Sequence, residues 1–403
     1  VKRLSFEELE ERALGFVEEM WGRAVELSDE LAENPEISGE EFAASRAHAR
    51  LLEEAGYEVE MPFMGLPTAF RGERSFGSGG GPTVALLVEY DALPEIGHAC
   101  GHNVSGAMST LAAVALSRAL EGSGVSGRIL AFGTPAEERD GAKVLMAERG
   151  AFDEVDLAMM IHASGGASYV RYRSLAMDAI EFEFRGKASH AAASPWEGRN
   201  ALNGVQLLFH AIDMLRQHVR PEARMHGIIS KGGEAPNVVP ELAAARFYFR
   251  APWREYLNSL VEKAWICAQG CAIATFTEVE RRPFELSFDN MLPTPRAEEV
   301  FEEILTELGV ELSPSPGPQG SSDVGNVSHR CPTIQPMLDI TGTPVALHTR
   351  DFALLTKGRL AHERIKTGAK ALTRMALKVL VDPRLREEIR SSFLLSKERE
   401  SRV

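Results

Sequence analysis

The sequence predicts an α/β fold: a mixed, largely parallel sheet flanked by helices, with a smaller ferredoxin-like α+β domain inserted into it. Three observations predict this. Short aliphatic strands alternate with helices from Pro82 to His162, the pattern of a sheet built from crossover units. A β-α-β-β-α-β order then runs from Asp178 to Glu280, which is the split arrangement of ferredoxin-like domains. The α/β character resumes at Pro293. A chain of 403 residues exceeds one comfortable core and suits two domains. The expected division is 1–175 with 290–403 for the larger domain and 176–289 for the insertion.

The elements follow in order. Charged residues from Val1 to Arg12 open an amphipathic helix with no apolar signal core, so export by that route is not supported. Asn34-Pro35 breaks the region before Gly56 into two helices. Pro82 to Tyr90 (PTVALLVEY), bounded by the glycine cluster Gly77 to Gly81, reads as a buried strand. Met108, Leu111, Ala112 and Ala115 recur at helical spacing within Ser105 to Leu120. Gly127 to Gly133 and Val155 to His162 are further short strands, with a helix over Gly141 to Glu148 between them.

In the insertion, Asp178 to Phe184 alternates as a half-exposed strand does. Asn200 to His218 is helical, Ala223 to Ser230 and Leu242 to Arg250 are strands, Arg254 to Ala268 is helical, and Ala272 to Glu280 is a last strand. An alternating first strand implies a solvated face or an available edge, and with it a homodimer through this domain. Beyond it, Ala297 to Leu308 is helical, Thr333 to Met337 a strand and Leu355 to Leu380 helical, followed by a charged helical tail after Asp382. The loop Ser313 to Asn326, with its glycines and prolines, is long enough to mark a functional segment.

Composition narrows the function. Hydrophobic residues make up 44% and charged residues 25%, as in ordinary globular proteins. A net charge of −14 argues against nucleic acid and anionic membrane surfaces as partners. No apolar run approaches the roughly 18 residues that span a bilayer. The 4 cysteines (Cys100, Cys267, Cys271, Cys331) are too scattered for a disulfide framework, which points to a reducing compartment and hence the cytoplasm. Cys267 and Cys271, one helical turn apart, read as core-facing.

Three clusters carry chemistry. Gly97-His98-Ala99-Cys100-Gly101-His102-Asn103 follows a strand and its turn, places soft and borderline metal donors on one loop, and precedes a helix; a small turn with a buried cysteine is the alternative. Thr134-Pro135-Ala136-Glu137-Glu138 ends the next strand. Adjacent carboxylates repel, so one can stay ionised on a metal while the other moves protons; a solvated helix start is the alternative. His162 ends a third strand, where a lone histidine is commonly structural. Together these groups terminate neighbouring strands, where sites form in open α/β sheets. His348, in Gly342 to Thr349, is a further candidate. Five ligands exceed the four of a closed tetrahedral zinc centre and suit two ions.

On these residues the chain resembles the aminoacylase/carboxypeptidase metallohydrolases. The likeness is to the amidohydrolase branch, which holds N-acyl-amino-acid amidohydrolases, aminobenzoyl-glutamate hydrolase and β-alanyl-lysine dipeptidase. It runs from Pro35-Glu36-Ile37-Ser38-Gly39-Glu40-Glu41 to His348. It is strongest over Glu89 to Asn103 (EYDALPEIGHACGHN) and in the loop Gly320 to Ser328. The resemblance implies Cys100, His102, Glu138, His162 and His348 as metal ligands, Glu137 as general base and Asp91 as the group orienting the ligands. It implies His190, in Gly186-Lys187-Ala188-Ser189-His190, as oxyanion donor. Asn237, in Pro236 to Pro240, and Arg250 would hold the substrate carboxylate. Closure of the inserted domain would bring these three to the metals and exclude water.

The implied cofactors are two divalent ions, Zn or Mn, with Co or Ni also suited. The implied substrate is an N-acyl amino acid or small dipeptide. Two departures stand out: Asn103 where many members have Asp, and Glu89 where more distant carboxypeptidases place the histidine of a His-x-Asp motif. A catalytically silent metal- or peptide-binding homologue is the second reading, and a metal-dependent lyase or deaminase the third.

Overall fold

A computed structural model describes residues 4–77 and 80–402. Val1 to Arg3, in the expected N-terminal helix start, and Ser78-Gly79, in the expected glycine cluster, lie outside the described residues. The chain divides into two compact units. One runs to Arg173 and resumes over Met291–Arg399; the other is Ser174–Asn290 with the residues from Glu400.

In the first unit α1 (Phe6–Glu33) opens on a capping box. The Ser5 hydroxyl accepts from the Glu8 N–H at 3.2 Å, and the Glu8 carboxylate accepts from the Ser5 N–H at 2.8 Å. It stops at Asn34, before Pro35, and α2 (Phe42–Glu54) follows, as expected. Next come β1 (Glu58–Glu60), β2 (Phe70–Phe76), β3 (Thr83–Val88), α3 (His102–Leu120), β4 (Gly127–Gly133), α4 (Ala142–Glu148), β5 (Leu157–Met159) and β6 (His162–Ser164). Every residue of β3 is buried, and α3 is buried over nearly its whole surface. A strand and helix that are buried all round belong in the middle of a layered core.

The second unit contains β7 (Ala176–Arg185), α5 (Ala201–Leu215), β8 (Arg224–Lys231), β9 (Leu242–Ala251), α6 (Arg254–Thr275) and β10 (Glu278–Pro283). Its sheet is antiparallel, in the order β10-β7-β9-β8, the ferredoxin-like arrangement expected. Phe182, Phe184, Phe247 and Phe249 form its core with apolar side chains of α5 and α6.

The strand expected over Ala272 to Glu280 is corrected. Leu257, Leu260, Val261, Ala264, Ala268, Cys271 and Ala272 bury one continuous helical face, so packing carries α6 through the β-branched residues. Phe276 then turns left-handed at φ 55° and ends it. Cys271 faces the core, as read, while Cys267 is only half-buried.

The first unit resumes with α7 (Pro295–Glu307), α8 (Val324–Ser328), β11 (Thr333–Ile334), β12 (Met337–Asp339), α9 (Arg350–Leu355), α10 (Arg359–Val381) and α11 (Pro383–Glu400). Its 6-stranded sheet has the order β1-β2-β4-β3-β5-β11. The strands from β4 to β11 are parallel, while β2 pairs antiparallel with β4 and β1 antiparallel with β2. The single strand expected over Val155 to His162 is divided: β5 pairs with β11, while β6 pairs with β12 in a separate 2-stranded sheet. Pro336, between β11 and β12, has no N–H to continue the ladder, so the partner strand breaks opposite it. Among the described residues no helix is long and apolar enough to cross a membrane.

The α3–β3 contact that positions the site depends on Gly106. A Cβ there would lie 2.2 Å from the Glu89 carbonyl oxygen and 3.1 Å from the His48 ring. Inside a helix, Gly→Ala ordinarily stabilises by about 1 kcal/mol. Gly15 of α1, whose Cβ would meet nothing within 4 Å, is expected to follow that rule on substitution by Ala. Gly106→Ala is expected to have the opposite sign, destabilising by roughly 1–3 kcal/mol through overpacking. Urea unfolding of the two variants checks the contrast.

Candidate metal centre

The site forms where β3, β4 and the segments that follow them end. Asp91, just beyond β3, is buried and gathers three partners. Its carboxylate lies 2.9 Å from His102 Nδ1, accepts from the Ser38 hydroxyl at 2.8 Å and accepts from the Glu138 N–H at 3.0 Å. The loop from Asp91 re-enters as α3, whose first residue is His102 itself. Gly101 makes that entry possible: its φ is +79°, and a Cβ there would strike the Ala163 methyl at 2.6 Å.

All five expected ligands and Glu137 come together. Donor atoms of Cys100, His102 and His162 lie within 4.8 Å of one another, as do those of Cys100, Glu138 and His348 and those of His102, Glu137 and Glu138. Cys100 Sγ is 3.5 Å from His162 Nε2, and His348 Nε2 is 3.3 Å from Glu138 Oε1. His162 donates from Nδ1 to the Ala163 carbonyl at 2.7 Å, which leaves Nε2 facing the cluster. His348 sits at φ 62°, held by its N–H on the Ala99 carbonyl at 2.8 Å. One expectation is corrected: His162 does not terminate a strand of the main sheet but opens β6 of the smaller one. It reaches the cluster because the chain crosses from β5 to β6 at that point.

Electrostatics separates the two glutamates. Burial lifts the Glu137 carboxyl well above the usual range, and the charges of Glu89, Glu138 and Asp323 act in the same direction. Burial would raise Glu138 as well, but the His348 hydrogen bond and the His102 charge outweigh it and hold Glu138 below its ordinary value. Burial also pushes the Cys100 thiol up, so a nearby cation is what would favour its thiolate. One carboxyl suited to carrying a proton beside one suited to staying ionised is the arrangement that acid–base chemistry needs.

Other buried groups were not legible as part of the site. Glu41 Oε1 accepts from the N–H groups of Gly39 and Ala136, each at 2.8 Å, and Oε2 accepts from the Thr68 hydroxyl at 2.9 Å. Ala136 has φ 58°, an uncommon conformation for a residue with a Cβ, and this bond helps to hold the turn that aims Glu137 and Glu138. Lys143 of α4 is buried between Glu89 and Asp323. A lysine one residue into a helix carries no signal of burial; only the Asp323-containing loop stood out, as a functional segment expected to set substrate choice.

The second unit joins two of the motifs. His190 forms a β-bridge with Val238, and the Ala191 N–H donates to the Asn237 carbonyl at 3.0 Å. His190 and Asn237 therefore lie on paired segments, both exposed. His190 Nδ1 accepts from the Ala193 N–H at 3.1 Å. Arg250 lies near the end of β9 with its guanidinium over the Tyr248 ring, 5.8 Å from the centroid. Burial lowers its basicity from the ordinary value.

The donor set fits a divalent metal. His102 Nε2 is buried and makes no hydrogen bond, while its other nitrogen is fixed by Asp91; this is how metal-binding imidazoles are oriented. A thiol, three imidazoles and a carboxylate are the ligands of zinc and related ions.

Residues 176–265 match the model of the M20 peptidase dimerisation domain. The chain is 37% identical over 400 residues to Xaa-Arg dipeptidase of Mus musculus, covering 96% of this chain and 92% of that protein. It is 34% identical to one of the subunits of p-aminobenzoyl-glutamate hydrolase from Escherichia coli, over 71% of this chain and 63% of that one. A dinuclear metal-binding M20 peptidase of Bacillus subtilis superposes with a TM-score of 0.69 at 21% identity, covering 90% of this chain and 99% of that one. By fold, donor cluster and relatives together, the chain belongs to the M20 peptidase family, in the branch of dipeptidases and amidohydrolases.

Proposed function

We propose that this chain cleaves the amide bond of a small dipeptide or N-acyl amino acid at a two-ion centre held by Cys100, His102, Glu138, His162 and His348, with Glu137 as general base. Metal-dependent amide-bond hydrolysis is the activity of the chain's branch, and the chain is a hydrolase of that kind. The observation that carries the assignment of roles is the set of overlapping donor triads with Glu137 beside them, its Oε2 3.9 Å from His102 Nε2.

Bound divalent ions supply Lewis acidity and bring the pKa of water down to about 7 in zinc enzymes. The protein's own groups do the rest. Glu137 takes the nucleophile's proton on its carboxylate and returns it to the departing amine. Asp91 keeps His102 in one tautomer and holds the Glu138 backbone, so both ligands stay aimed. His190 is assigned to the oxyanion, and Asn237 and Arg250 to the substrate carboxylate. An Xaa-Arg dipeptide and aminobenzoyl-glutamate both end in a free amino-acid carboxylate, which supports that assignment for a substrate of this class.

The thiol and imidazoles favour zinc, and the carboxylate also accommodates manganese, cobalt or nickel. A homodimer through the second unit is supported by the dimerisation-domain match and by β8, an edge strand with exposed Ile228 and Ile229. All four cysteines are free, which supports a reducing, cytoplasmic setting. The silent-homologue reading has no observation in its favour, since the base and every expected ligand are present.

Metal-loaded protein incubated with N-acyl amino acids, dipeptides ending in basic residues and aminobenzoyl-glutamate is expected to release free amine from at least one of them. Binding without release across the whole panel would support the silent homologue instead. Glu137→Gln is expected to lower kcat by about 10²–10⁴-fold while metal content by elemental analysis stays at the wild-type value. An active variant removes Glu137 from its role. Arg250→Ala is expected to act mainly on KM, raising it by roughly 10–100-fold, as the loss of a charged hydrogen bond implies. A pure kcat effect would move Arg250 out of ground-state binding.

A further inference from the structure

We infer that Lys143 is a positioning residue that withholds the Glu89 carboxylate from the metal centre, and thereby sets which cation the centre prefers. The inference rests on the reading of the Cys100/His102/Glu138/His162/His348 cluster as that centre.

Glu89 stands just beyond β3 with its side chain buried. Its Oε2 lies 3.4 Å from His102 Nε2, the nitrogen that faces the donor cluster. That places an oxygen donor beside the cluster, although Glu89 itself joins none of the donor triads. Its Oε1 is engaged elsewhere, 2.7 Å from Lys143 Nζ. The same ammonium lies 2.7 Å from Asp323 Oδ1, and Asp323 Oδ2 accepts from the Lys143 N–H at 3.1 Å. Lys143, Glu89 and Asp323 have side-chain exposures of 0%, 1% and 0%.

Lysine is almost never this buried unless paired. A buried ion pair is a poor device for stability alone, because apolar residues of similar volume usually serve as well. Placement decides the matter. The ammonium pairs with the Glu89 oxygen that does not face His102, so any swing of Glu89 toward a cation must lengthen a 2.7 Å ion pair between two buried groups. Asp323 fixes the ammonium in turn, through both the side chain and the backbone of Lys143. With Glu89 held back, the centre keeps a thiol- and imidazole-rich donor set, which suits zinc. With Glu89 released, a hard oxygen donor joins it, and manganese gains more than zinc does.

The test compares metal-free wild type, Lys143→Met, Glu89→Gln and the double variant by titration calorimetry with zinc and manganese. Folding is checked by circular dichroism. Lys143→Met is expected to raise manganese affinity relative to zinc by about tenfold, the scale on which groups behind the ligands act. The double variant should return the ratio to the wild-type value, and Glu89→Gln alone should keep wild-type zinc affinity. An unchanged ratio in folded Lys143→Met, or a double variant that fails to revert, overturns the inference. Should Lys143→Met not fold, Glu89→Gln decides: retained zinc affinity upholds it, and a tenfold loss makes Glu89 a ligand and overturns it. Wild type that binds neither ion would refute the metal centre itself, a failure distinct from these.

Discussion

Asp91 lies at the end of β3 with its carboxylate buried, and three stretches of chain converge on it: Ser38 before α2, His102 at the start of α3 and Glu138 after β4. Each contact does a different job. His102 Nδ1 donates to the Asp91 carbonyl at 3.0 Å beside the carboxylate, which leaves Nε2 facing the cluster; the Glu138 N–H bond fixes the turn that carries both glutamates, and the Ser38 hydroxyl ties in the segment before α2. A hydrogen-bonded network of this kind in a low-dielectric interior is rigid, and removing any member leaves the others unpaired. The geometry of the centre follows from it: Asp91 orients the loop of one strand and the turn of its neighbour with a single residue, through its carbonyl and its carboxylate.

Around that anchor the protein gathers acids at or near complete burial, and it compensates them in different ways. Glu41 is met by two backbone N–H groups and a hydroxyl. Glu89 and Asp323 share the Lys143 ammonium. Glu137 and Glu138 are left facing histidines and a thiol. Burial and repulsion raise Glu137, while His348 and His102 lower Glu138. A divalent cation is the natural complement to what remains, because the bound ion becomes the largest local charge in such a site. Folding stability and metal binding thus draw on neighbouring groups, and the acids outside the donor triads, Glu89 among them, are the ones the protein neutralises for itself.

Much of this was legible in the primary structure because the informative signals are local. Buried strands such as β3 are continuous apolar runs, and metal donors on short loops at strand ends stand out by residue type. The misreadings have equally definite causes. Ala272 to Thr275 are partly β-branched yet helical, because a buried face extends α6 past its propensity. β2, with Arg71, Glu73, Arg74 and Ser75, has no apolar run and becomes a strand only by pairing with β4. His162 reads as the end of a strand of the main sheet, but Pro336, just before its partner Met337, divides that strand between two sheets.

By itself the sequence determined the fold class and, by residue type and spacing, the clusters that could bind metal; the separate parts given to Glu137 and Glu138 came from the family resemblance. Only the tertiary structure decided how those side chains are tuned. Lys143 reads as an ordinary helical lysine until α4, β3 and the loop before α8 are folded together, and Ser38 and Glu41, which stand in the stretch of family resemblance, gain a role only when Asp91 and Ala136 meet them. A charge acquires its energetic meaning from what surrounds it in space, and the partners of these groups lie far away along the chain.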